Sequence, residues 1–70
     1  MQGLPIWVIY DHPRDYPDHF VARLHVGETP TEELMLSNNI EALRIQLERE
    51  GLVRLGRHMD DDAKIVETWL

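Results

Sequence analysis

Between Tyr10 and Phe20 the chain reads YDHPRDYPDHF, a run holding three aspartates, two histidines and two prolines. Imidazole nitrogen and carboxylate oxygen suit zinc or another first-row ion, and His12, Asp15 and His19 could supply three such ligands. Their spacing, i, i+3, i+7, is that of a helical stripe, and Pro13 and Pro17 rule out a helix there. The stretch reads first as a stiff chain reversal. Each proline drives the residue before it, His12 or Tyr16, towards extended backbone. Asp11, Asp15 and Asp18 are residues that bond nearby backbone N–H groups in turns. No metal ligand set is assigned.

A second polar run, RHMDDD (57–62), lacks the alternating acids and the glycine of an EF-hand calcium loop. It reads as a solvated turn in which Arg57 or His58 pairs with an aspartate. The two runs gain a joint chemistry only through topology. If LVRL (52–55) is a strand antiparallel to KIVETWL (64–70), both loops leave the same end of the sheet. Asp11, His12, Arg57, His58 and Asp60 then converge, with Asp15 on the same loop, as a site for a metal or an anion, able to hydrolyse only with a cleft and shifted pKa values. Convergence is the arrangement expected here. Covalent catalysis has no obvious carrier: there is no cysteine and one serine, Ser37, at a helix start. Thr29, Thr31 and Thr68 have no base beside them. No glycine-rich phosphate loop is present, and no cofactor is implied.

The elements that must position these residues follow from periodicity. PIWVIYD (Pro5 to Asp11) is a strand apolar on both sides, with Ile6, Val8 and Tyr10 on one and Trp7 and Ile9 on the other, as in a central strand. HFVARLHV (19–26) alternates, Phe20, Ala22, Leu24 and Val26 facing one way, Val21, Arg23 and His25 the other. GETPT (27–31) is a turn, and EELMLS (32–37) a third strand. In SNNIEALRIQLEREGL, Asn38 can cap a helix and Glu41 complete a capping box. Ile40, Leu43 and Leu47 form its apolar stripe. Gly51 and Leu52 fit a Schellman ending, which predicts a helix over 39–50. In the last strand Ile65, Glu67 and Trp69 share a face. The result is one α+β domain (1–70), an antiparallel-rich sheet with one helix on one face, in the order β-β-β-α-(β)-β.

One helix covers one side of such a sheet. The Phe20, Ala22, Leu24 stripe pairs with the helix seam, which assigns Trp7, Ile9, Val21, Arg23 and Trp69 to the uncovered side together with Met35 and His25. Two indoles on a bare sheet either pack against each other or under the Tyr16 loop, with Arg23 stacked on a ring, or form a contact surface. The expected role is that of a non-enzymatic interaction module, binding a protein partner or forming a homodimer.

The ends of the chain, WVIYDHPRDYPDHFVARL and DDDAKIVETWL, resemble a set of small uncharacterised bacterial proteins of similar length. That resemblance implies no activity, cofactor or site residue.

Thirteen acids against seven bases leave a net charge of −6. The arginines are scattered among acids, so neither nucleic acid nor an anionic membrane surface is an expected partner. The apolar run at the start is too short for a signal peptide or a membrane span, and a cytoplasmic protein is expected. At this size a chain buries only about 60% of its unfolded surface, so a partner would add needed stability.

Overall fold

A computed structural model describes residues 3–56 and 64–70. Five strands and one helix follow in the order β1 (Pro5–Asp11), β2 (Phe20–Val26), β3 (Thr29–Ser37), α1 (Ile40–Arg49), β4 (Arg54–Gly56) and β5 (Ile65–Trp69). The strands form one sheet in spatial order β3-β2-β1-β5-β4, with every neighbouring pair antiparallel. The α+β architecture is therefore the expected one. The first three strands make a meander, α1 crosses one face, and β4 and β5 complete the sheet on the far side of β1.

Helix α1 is bounded by local chemistry. Asn39, not Asn38, is the N-cap, its side chain accepting from the Glu41 N–H at 2.9 Å. Ser37 Oγ accepts from the Asn39 N–H, so two polar side chains share the helix start. Glu41 turns its carboxylate to Arg44 rather than back to the cap. At the other end Gly51 has φ +82°, its N–H donates to the Glu48 carbonyl, and that of Leu52 donates to Leu47. These are the two bonds of a Schellman ending. The inner stripe buries Leu43 and Leu47 against Ile9, Ala22 and Trp69, with Phe20 and Ile40 packed around them.

Two irregularities adjust the strands. Strand β3 starts at Thr29, earlier than the turn reading allowed, because Pro30 lies on an edge strand where a missing N–H is tolerated. The register slips between Arg23 and His25, and side chains satisfy the loosened backbone there. Arg23 Nη1 donates to the Thr31 carbonyl and the Thr31 hydroxyl to the Leu24 carbonyl, both at 2.7 Å. In β5, Ile9 faces Glu67 but Tyr10 faces Ile65, which leaves Val66 as an extra residue. Ile65 is thereby moved off the face of Glu67 and Trp69, where strict alternation had placed it. No helix among the described residues is long and apolar enough to cross a membrane.

Candidate functional site

The register decides which side chains are available for contact. Ile9 pairs with Ala22, Trp7 with Leu24 and Trp69, and Ala22 with Met35. All of these share the helix side. Ile9 is fully buried, Trp69 is 2% exposed, and Trp7 and Met35 pack against the same core. The assignment of Trp7, Ile9, Trp69 and Met35 to an uncovered face is thus corrected. Both sides of β1 are apolar, and the helix covers the side that meets the small Ala22, where bulky neighbours fit. Trp7 and Trp69 are cross-strand partners in the core.

Among the described residues, that core contains one charged group. Glu67 is 2% exposed. One carboxylate oxygen accepts from Arg44 Nε and Nη2 at 3.0 and 2.6 Å, and the other from the Trp69 indole N–H at 2.7 Å. The Glu67 and Glu41 carboxylates raise the Arg44 pKa, so the guanidinium stays charged. Each polar atom is matched, which marks the cluster as a device for seating α1 on the sheet.

The other face carries Ile6, Val8 and Tyr10 opposite His25, Arg23 and Val21, with Leu34 and Leu36 beyond Arg23 and Val21. No helix among the described residues lies on it. Val21, Arg23 and His25 are on the side the sequence assigns them, but Val21 is 1% exposed and is not available for contact; Trp7, Ile9, Met35 and Trp69 are on the other side. The loop 12–19 folds onto one end of this face. It consists of two successive turns, closed by Tyr16 N–H to Pro13 carbonyl and His19 N–H to Tyr16 carbonyl. His12 is not extended: its φ is +48°, its ring nitrogen meets the Asp11 carboxylate, and its ring stands edge-on to Phe20. Histidine is among the residues enriched in this left-handed region. Asp15 reaches Arg23 Nη2 at 3.1 Å and so ties the loop to the sheet.

Between loop and sheet lies a hollow of about 370 Å³ lined by Tyr10, Pro13, Asp15, Val21, Arg23, His25 and Pro30. The Tyr10 hydroxyl is hydrogen bonded to His25 Nε2 at 3.1 Å, and the two rings stack at 6.3 Å. Tyr10 and His25 belong to rows on either side of the Val8–Arg23 pair, so the tyrosine spans that row and helps bury Val8. Burial lowers the His25 pKa, and the neighbouring Arg23 charge lowers it further. The imidazole is consequently neutral at pH 7. The hollow thus brings together a fixed cation, a neutral imidazole and a phenol above an apolar floor.

Tyr10, His25, Pro13 and Pro30 were not singled out from the sequence as one site. The signal that could have found them is the pairing parity, since Tyr10 opposite Val21 puts Tyr10 and His25 on one face. Of the polar-loop candidates, Asp11 and His12 are joined to each other and Asp15 to Arg23. Arg57, His58 and Asp60 lie outside the described residues. Strands β4 and β5 are antiparallel, and Lys64 abuts the loop, its carbonyl accepting from the Asp11 N–H and its Nζ donating to the His12 carbonyl. The chain thus enters β5 at the sheet end that carries loop 12–19. His12, Asp15 and His19 are not gathered as ligands, and no group of three or more His, Asp or Glu able to hold a metal occurs among the described residues.

No protein-family model matches this chain, and no curated protein or solved structure matches it either.

Proposed function

We propose that this chain is a small non-enzymatic binding module that takes a protein partner on the open face of its sheet, the first such partner being a second copy of itself. The observation that carries the reading is the composition of that face. Ile6, Leu34 and Leu36 line it, with Leu36 41% exposed, beside Val8 and Val21, which are already buried in the single chain. Leu70, hydrogen bonded in both directions to Val53, prolongs the same side at the far edge, where both side chains are exposed.

Charge permits self-recognition on this face. The whole chain carries −6, so two copies repel wherever acids face one another. On this face the paired strand positions carry Arg23 as their one permanent charge, and Asp15 neutralises it. In a two-fold contact a surface meets its own copy, and a neutral apolar face is one that can do so without cost.

The test is sedimentation velocity from micromolar to millimolar concentration. The wild-type chain should pass from monomer to dimer, and Leu36→Asp should remain monomeric with unchanged circular dichroism. A wild-type chain that stays monomeric throughout would overturn the reading. Trp7→Ala, by contrast, should report on folding, because Trp7 packs in the core.

A further inference from the structure

We infer that the hollow between loop 12–19 and the sheet is a binding site for a monocarboxylate bearing an apolar group, with Asp15 occupying the carboxylate position until the ligand arrives. This goes beyond docking of a second copy and uses a different part of the face.

Arg23 is set up for such a ligand. Nη1 is fixed on the Thr31 carbonyl at 2.7 Å, so the planar fork is oriented before anything binds. The side chain of Arg23 is 21% exposed, and its outer nitrogen meets a carboxylate already, that of Asp15. That contact is a weak one. The Asp15 side chain is 58% exposed, the distance is 3.1 Å, and the residue sits on a loop rather than on a strand. An exposed pair of this kind is worth only about 0–1 kcal/mol, so an incoming carboxylate can replace it and let Asp15 return to water.

The surroundings specify the rest of the ligand. Pro13 and Pro30 stand as walls, Val21 lies on the floor, and the Tyr10 ring borders the same space. A volume of about 370 Å³ lies at the lower end of the range for small-molecule sites and suits a single ring or a branched chain. The charge count sets the ionic form. With His25 neutral, Arg23 is the cation facing the hollow, and the exchange of Asp15 for ligand conserves charge only for a monoanion. A phosphate dianion would leave excess negative charge beside Asp15. The same chemistry is offered by a free aromatic or branched acid and by the terminal carboxylate of a peptide ending in an apolar residue.

The experiment is a two-dimensional amide NMR titration of the full chain with phenylacetate, phenylacetamide, inorganic phosphate and N-acetylphenylalanine. Self-association is followed in the same samples by translational diffusion, so that a failure of dimerisation and a failure of ligand binding are read separately. Phenylacetate should move the amides of Val21, Arg23, His25 and Thr31, while the amide analogue and phosphate should leave them in place. Asp15→Asn should tighten phenylacetate binding several-fold by removing the competing carboxylate. Arg23→Lys, which keeps the charge and loses the fork, should weaken it. Tighter binding of N-acetylphenylalanine than of phenylacetate would identify a peptide terminus as the source, and the reverse a free acid. Equal shifts with acid and amide, no shifts with either acid, or Asp15→Asn binding no tighter than wild type would each overturn the inference.

Discussion

Replacing Arg44 by methionine tests how the helix is held to the sheet. The substitution preserves an unbranched apolar stem and removes the guanidinium. Glu67, with its side chain 3% exposed, then loses the bonds from Nε and Nη2 and keeps the one from Trp69. Removing one partner of a fully buried pair costs about 3–5 kcal/mol. The Arg44 side chain is 24% exposed, so water reaches the vacated position in part; the expected loss is about 2–3 kcal/mol. Seventy residues support a total on the order of 5 kcal/mol, and the variant should therefore lose about half of its stability. Urea unfolding followed by tryptophan fluorescence measures it, since both indoles lie in the core. Glu67→Gln should cost less, about 1–2 kcal/mol, because an amide oxygen still accepts from the indole N–H. The double variant should be no less stable than Arg44→Met alone, since no charge is left unpaired. A cost under about 0.5 kcal/mol for Arg44→Met, or additive losses in the double variant, would refute the assignment of Glu67 as a buried charge that depends on Arg44.

The remaining predictions concern loop 12–19 and strand β2. His12 holds φ +48°, a conformation costing a non-glycine residue about 1 kcal/mol; His12→Gly should be more stable than His12→Ala by about that amount in urea titrations, both having lost the ring. His25 has its pKa lowered in the folded state by burial and by Arg23, so the unfolded chain binds more protons and stability rises with pH across the interval between the folded value and the ordinary one near 6.5. The contribution is complete above that ordinary value and is lost as pH falls below it, and His25→Gln should flatten this part of a stability–pH profile.

Much of the fold was legible because it is written locally. Gly51 and Leu52 terminate α1 by bonds that reach back only to Glu48 and Leu47, and the Ile40, Leu43, Leu47 stripe needs no knowledge of what it packs on. The N-cap was displaced by one because Ser37, Asn38 and Asn39 are all competent caps, and the choice between neighbours depends on where β3 stops. What sequence could not give is the register across loop 12–19. A shift of one residue exchanges the two faces of a strand. In β1 both faces are apolar, so Trp7 with Ile9 and Val8 with Tyr10 were equally acceptable beneath a helix. The extra residue at Val66 and the slip opposite Pro30 are likewise set by strand partners distant in sequence. The hollow at Arg23 depends on all of these, since it unites Tyr10, Asp15 and His25 from two strands and a loop.

The central strand, β1, pairs on one side with β5, which joins the first strand to the last. During synthesis the ribosome completes β1, the meander and the helix while the place of β5 is still empty. Throughout that interval the β5 flank of Trp7 and Ile9 has no strand partner, and the nascent helix presents Arg44 with Glu41 beside it but Glu67 not yet made. Joining them closes the loop from Trp7 to Trp69, a step whose entropy is lost before any contact repays it. Maturation is thus concentrated in one late event, and the five residues Ile65–Trp69 act as the latch of the whole sheet.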